Sequence, residues 1–327
     1  MRIIRNILLT LICIAAVGAA AVFGYYRVRG SREAALMSEG LALMEQGNYR
    51  AARTRFASAQ EYENSITRRL STDTMEEDLY RYTAICDFRL GDYEKAGTIY
   101  DNLLRRHPKD PVLLSSRATV WAALGNMEEA VPLFDTAIAI DRSNYSRLYD
   151  TGLTMREYGN DKDAKRYFNK LLKIDAKKVD PVIRGQALCF VGKHKEAAAV
   201  LDSIENPDMQ TSFLFATAMD KTGAHEEALK ILDDYEDQIR EDPDMLNLKG
   251  NALFGLGRYE ESLACFDQAL PLAEKGTALR RSLMFNRIAV LEQLRDFKAA
   301  AEYAAIYAKE FPGDKAMERE NLFLQTR

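Results

Sequence analysis

Eight short turns recur along this chain, and their spacing leaves little choice of architecture. Seven begin with glycine, at Gly47, Gly91, Gly125, Gly159, Gly192, Gly223 and Gly257, and the eighth begins with Arg295. Successive turns start 44, 34, 34, 33, 31, 34 and 38 residues apart. Five residues after each start stands a small side chain: Ala52, Ala96, Ala130, Ala164, Ala197, Ala228, Ser262 or Ala300. Four residues further on come Phe56, Tyr100, Phe134, Phe168, Leu201, Leu232, Phe266 and Ala304. A period of this length marks a stack of supersecondary units, each too small to bury its own apolar face.

The local chemistry makes each unit a pair of helices. Glycine closes the first helix, A, because it adopts positive φ without a steric cost. Asn or Asp follows in five of the eight turns and is placed to cap the second helix, B. The small residue lets B approach A closely, and the larger residue one turn later fills the space between repeats. Helix A carries its own stripe, as in Leu114, Ala118 and Trp121, or Leu148, Gly152 and Met155.

Residues 33–312 therefore resemble a tandem tetratricopeptide-repeat (TPR) array of eight repeats. The expected fold is all-α, and the resemblance implies a right-handed α-solenoid with a concave inner face. Pro108 and Pro312 stand at repeat ends, whereas Asp180-Pro181 and Asp242-Pro243 read as shifted versions of that proline. The fifth repeat is the most degenerate, with Pro181 predicting a shortened A helix. The long first step predicts an insertion near residues 60–76, and Pro132 falls inside a B helix, where it removes a hydrogen bond. Residues 313–327 read as a polar capping helix, from Lys315 onward.

The first 32 residues have a different character. Ile7 to Tyr26 is a run of 20 residues without a charge, long enough to span a bilayer. It lies between a short basic tail, residues 1–6, and a juxtamembrane linker, residues 27–32. We read it as an uncleaved single-pass anchor; a cleaved signal peptide ending near Gly18-Ala19-Ala20-Ala21 and a lipoprotein at Cys13 are the alternatives. Arginines flank both ends, and an extracytoplasmic C-terminal region is the preferred topology. The bilayer is then one partner of the chain, through residues 7–26.

Composition narrows the function. The formal net charge is −4, which lacks the basic footprint of a nucleic-acid binder. No glycine-rich phosphate loop, HExxH or GxSxG motif occurs. Neither an enzyme, a cofactor nor a small-molecule substrate is expected. His107, His194 and His225, like Cys86, Cys189 and Cys265, read as structural residues.

Function is sought instead on helix A. The resemblance implies that ligands lie on its positions outside the packing stripe: Tyr149, Leu153, Val182, Phe190, Phe213, Asn247, Asn251, Phe254, Phe285 and Asn286. Phe213, Phe254 and Phe285 are expected to form an exposed aromatic row for a hydrophobic peptide or helix. Asn247, Asn251 and Asn286 partly resemble the asparagines with which some TPR domains hold a peptide backbone. The basic residues of that carboxylate clamp are missing, so an acidic C-terminal tail is not the expected ligand. These features imply a membrane-tethered, non-catalytic scaffold that binds a protein or peptide, for assembly of an envelope-associated complex. The alternative is a peptide-sensing module whose superhelix changes shape on binding.

Overall fold

The computed structural model describes residues 32–61, 74–324 and 326. The expected anchor, tail and most of the linker, residues 1–31, lie outside the described residues, as does most of the expected insertion near 60–76. Among the described residues, no helix is long and apolar enough to cross a membrane.

The A helices are α1 (32–45), α3 (Thr74–Arg89), α5 (Pro111–Ala123), α7 (Tyr145–Glu157), α9 (Pro181–Phe190), α11 (Met209–Lys221), α13 (Pro243–Gly255) and α15 (Ala278–Gln293). Their B partners are α2 (Tyr49–Glu61), α4 (Tyr93–Arg106), α6 (Met127–Ile140), α8 (Asp161–Leu172), α10 (His194–Leu201), α12 (His225–Asp233), α14 (Tyr259–Ala269) and α16 (Phe297–Glu310). A last helix, α17 (Lys315–Leu324), packs on α16. No strand occurs among the described residues.

The chain forms two compact units, residues 1–164 and 165–327. In the first, α5 packs on α6 and lies beside the next A helix, α7. In the second, α9, α11, α13 and α15 lie side by side in sequence order, while each B helix from α10 onward touches the A helix or cap that comes after it. Each unit thus presents neighbouring A helices as one face.

The turns adopt the predicted handedness. All seven turn glycines have φ between 73° and 87°. At Gly125 its amide reaches the Ala122 carbonyl and the Asn126 amide reaches Trp121, both at 2.9 Å, so two otherwise orphaned carbonyls are satisfied. The eighth turn makes the same two bonds, from Arg295 to Glu292 and from Asp296 to Leu291, with Arg295 at φ 61°. Asn48, Asn126, Asn160 and Asp296 cap their B helices through side-chain oxygens. Asp92 does not; its carboxylate is drawn instead to the Lys95 ammonium, 2.8 Å away.

All eight small positions are at most 1% exposed, and the eight larger positions after them at most 5%. The close approach is paired with a small residue on helix A. A Cβ added to Gly40, Gly185 or Gly250 would collide with the side chain of Phe56, Leu201 or Phe266. Ser262 adds a buried hydrogen bond from its hydroxyl to the Gly250 carbonyl, at 2.7 Å.

The prolines need one correction. Pro181 and Pro243 do not close the preceding repeat. Each is the first residue of an A helix, with Asp180 or Asp242 accepting from the next two free amides, and Asp110-Pro111 does the same for α5. Proline suits that position because its missing N–H would have been unpaired there. The A helix of the fifth repeat is short as expected, with 10 residues in α9, and its B helix, α10, is shorter still at 8 residues, which was not expected. Pro132 lies inside α6, which continues through it.

Candidate functional site

The A-helix face of the second unit brings together the three asparagines. Asn247 and Asn251 lie one turn apart on α13, so their side chains share one side of it. Asn286, on the adjacent α15, donates from its amide nitrogen to Asn247 Oδ1 at 3.0 Å and Asn251 Oδ1 at 2.9 Å. Both protons of the Asn286 amide are spent in this bridge. Among the described residues, the amide nitrogens of Asn247 and Asn251 and the side-chain carbonyl of Asn286 make no further hydrogen bond. All three residues are half-buried, which strengthens such bonds while leaving them reachable. Next in sequence, Phe285 is 47% exposed.

The predicted aromatic row is not present. Phe254 meets Tyr259 edge-on with ring centroids 5.5 Å apart, and both Phe254 and Phe213 pack against the core of the second unit. Register accounts for Phe254, which stands three residues before its turn, where helix A meets its own helix B; Phe213 shares the register of Phe285, ten residues before the turn, but is half-buried against the core. Phe190 is likewise part of the packing, stacked on Phe168 at 4.8 Å. Val182 is half-buried on α9. In the first unit, Tyr149 and Leu153 sit one turn apart on α7, both half-buried, and burial raises the Tyr149 phenol above its ordinary pKa.

The histidines and cysteines are spread through the packing. His107 Nε2 lies 2.8 Å from Glu77, and His225 Nδ1 lies 2.9 Å from Asp220. Burial pushes the Cys86 and Cys189 thiols up to about 11, which leaves them as thiols rather than reactive thiolates at neutral pH. Among the described residues, no three His, Cys, Asp or Glu side chains gather as a metal site.

One surface was missed from the sequence. Between α5 and α7 runs a cleft of about 320 Å³, lined by serines, threonines, Arg147 and Asp150. Its signal was present as hydroxyls spaced four apart, Ser115 with Thr119 and Thr151 close to Thr154, which an apolar search for groove residues passes over.

The tetratricopeptide-repeat profile matches residues 85–145, 213–277 and 247–315, together just over half of the chain. The protein belongs to the tetratricopeptide-repeat family. No curated protein is a sequence match. Among solved structures, Cut9 in the APC/C heterotetramer Cut9–Hcn1 superposes with a TM-score of 0.55 at 13% identity, over 83% of this chain and 53% of that one. A TPR protein from Parabacteroides merdae aligns over 91% of this chain and all of its own, with 15% identity and a TM-score of 0.43. Pseudomonas aeruginosa PilF aligns over 76% of this chain and 96% of its own, with 15% identity and a TM-score of 0.46. At these identities the likeness concerns the TPR fold.

Proposed function

We propose that this TPR protein is a non-catalytic scaffold, tethered to a membrane by residues 7–26, that holds a protein or peptide partner on its A-helix face. The observation that carries the proposal is the carboxamide cluster of Asn247, Asn251 and Asn286 beside the exposed Phe285. Half-buried amides with unspent donors and an unspent acceptor suit an extended peptide backbone, which offers one of each per residue. An exposed aromatic next to them supplies the apolar contact that a polar cluster lacks. The uncharged run from Ile7 to Tyr26 supports the tether, and tethering raises the effective concentration of a partner at the bilayer. Assembly of an envelope-associated complex, with the repeats on the extracytoplasmic side, is the role that fits both features.

The test places a photo-cross-linking residue at Phe285 in the full-length membrane protein, with Ile306, 48% exposed on α16, as the control. A dominant protein adduct from position 285 that is lost in Asn286→Ala supports the proposal, and its compartment reports the topology. Equal adducts from both positions, or adducts from 306 alone, would move the binding surface off the A helices. Alkaline extraction tests the tether: the full chain should stay with the membrane pellet, and residues 27–327 should leave it.

A further inference from the structure

We infer that the exposed side of α17 is a docking site for an amphipathic helix of a partner protein, which takes the place that helix B holds beside the other A helices. The arriving helix carries a small residue opposite Leu322 and a basic residue one turn later, opposite Glu318.

α17 repeats the design of the A helices position by position. Asp314 Oδ1 accepts from the Ala316 and Met317 amides at 3.1 and 3.3 Å. Asp110 does the same for Val112 and Leu113 in α5, and Asp242 for Asp244 and Met245 in α13. Three residues after that aspartate stand Met317, Leu113 and Met245, and ten after it stand Leu324, Val120 and Ala252; all six are at most 4% exposed. α17 also packs on α16 as α15 packs on α14. By capping, register and neighbour it is a helix A.

One position breaks the match. Eight residues after the capping aspartate, α5 has Ala118 and α13 has Gly250, both buried. A Cβ added to Gly250 would meet the Phe266 ring of helix B. The same position in α17 is Leu322, 65% exposed, and no helix B follows α17 among the described residues. The helix expected to be a polar cap is therefore polar only in part. A single exposed leucine is common on a protein surface; its register, which the other repeats bury against a helix, is what singles this one out.

The existing helix pairs state what fits there. Volume at this register is shared: Gly40, Gly185 and Gly250 meet Phe56, Leu201 and Phe266, and where helix A carries Ile288, helix B carries Ala304. Leucine on α17 therefore calls for alanine or glycine on the arriving helix. One turn earlier, α5 and α13 carry Leu114 and Leu246, whereas α17 carries Glu318, exposed and in no ion pair among the described residues. Repeat six shows how a polar residue is met at that place, with Ser212 bonded to the Tyr235 hydroxyl at 3.0 Å. A carboxylate is met best by lysine or arginine, one turn after the small residue because helices A and B run antiparallel. Arg319 is turned away from this task, its Nε donating to the Lys315 carbonyl at 3.1 Å. A second copy of the chain does not supply the helix from α16, because Ala304 is 0% exposed.

The experiment uses the full chain in detergent and two labelled peptides. The first has the sequence of residues 296–310 with Ala308→Lys, so that its Ala304 is placed to meet Leu322 and its lysine to meet Glu318. The second also carries Ala304→Phe. The alanine peptide should bind about tenfold more tightly than the phenylalanine peptide. Leu322→Ala in the chain restores the small residue of α5 without loss of helix propensity, and it should reverse that preference. Glu318→Gln should weaken the alanine peptide about threefold. Asn286→Ala should change neither affinity, so failure here is distinguished from failure of the carboxamide surface. No binding of either peptide, equal binding of both, or a preference that survives Leu322→Ala overturns the docking site. Sedimentation of the chain without peptide tests the other occupant: a dimer that Leu322→Ala converts to a monomer would put a second copy on this face and overturn the partner helix.

Discussion

Repeats seven and eight occupy adjacent places in the second unit and solve the same packing problem with opposite volumes. In repeat seven, helix A brings Gly250 against the Phe266 ring of helix B. At the matching register of repeat eight, helix A carries Ile288 and helix B carries Ala304, exposed by 1% and 0%. The turns differ in the same way: Gly257 has φ 73°, while Arg295 holds φ 61° with a side chain that disfavours it. The fold therefore asks for a filled space and a left-handed turn, and it accepts more than one residue pair that supplies them.

The largest effect is expected from emptying the inverted pair. Ile288→Ala leaves two alanines facing each other, and a cavity of that kind costs about 2–5 kcal/mol. Urea denaturation of the full chain checks the value, and a loss below about 1 kcal/mol would mean that neighbouring side chains fill the space. Gly250→Ile tests repeat seven from the other side. Overpacking against Phe266 should cost about 1–3 kcal/mol, and Phe266→Ala in the same chain should restore part of that loss. Absence of rescue would show that Gly250 is required for the path of the backbone rather than for volume.

The turns predict a smaller change of opposite sign. Arg295→Gly removes left-handed strain and should raise stability by roughly 0.5–1 kcal/mol, seen as a higher melting temperature. Gly257→Arg should lower it by a similar amount. If both substitutions destabilise, the Arg295 side chain contributes a contact that outweighs its backbone cost.

The smallest and most local effect is expected where repeat eight meets the C-terminal helix. Three residues before the turn, repeat seven has Phe254 packed on Tyr259, whereas repeat eight has Glu292 against Glu320 of α17. Burial, then the hydrogen bond and charge of Glu320, raise the Glu292 carboxyl to about 7. The folded state thus holds this proton more tightly than the unfolded chain does. The stabilisation is complete below the ordinary Glu range near 4.5 and is lost as pH rises through about 7. Amide hydrogen exchange, corrected for intrinsic rates, should show α17 losing protection across that interval, while α13 does not. Glu292→Gln should flatten the dependence; an unchanged slope would place the titrating group elsewhere.

The same two repeats separate features readable along the chain from features that were not. The turn glycines and the small positions are local to one helix pair, while the bulky residues touch their own helix A, as Phe56 does at Gly40, and the next one, as Phe56 does at Tyr82. Their periodicity therefore revealed the repeats and the residues of the core. The shared register of Ile288 and Ala304 was readable too, yet their exchange of size acquires meaning only when helices A and B are laid together. The proline reading failed at Asp180-Pro181 and Asp242-Pro243 because a proline one or two residues from a boundary is compatible with the end of one helix or the start of the next. Side-chain capping by the preceding aspartate decides for the start.

The functional surface was less legible for a geometric reason. A residue on helix A can face its own B helix, the neighbouring A helix or solvent, and a shift of a few positions changes which. Phe254 and Phe285 are both aromatic and both lie off the assigned stripe, but one packs on Tyr259 and the other is exposed. The sequence by itself determined the number of repeats, their left-handed turns and the burial of their small residues, because the helical period and glycine's backbone freedom act locally. Tertiary structure alone decided that Asn286 bonds with Asn247 and Asn251, 39 and 35 residues away, and that a cleft opens between α5 and α7. Those arrangements depend on how neighbouring repeats pack, where the orientation of a side chain is settled by the volumes on both sides of the contact.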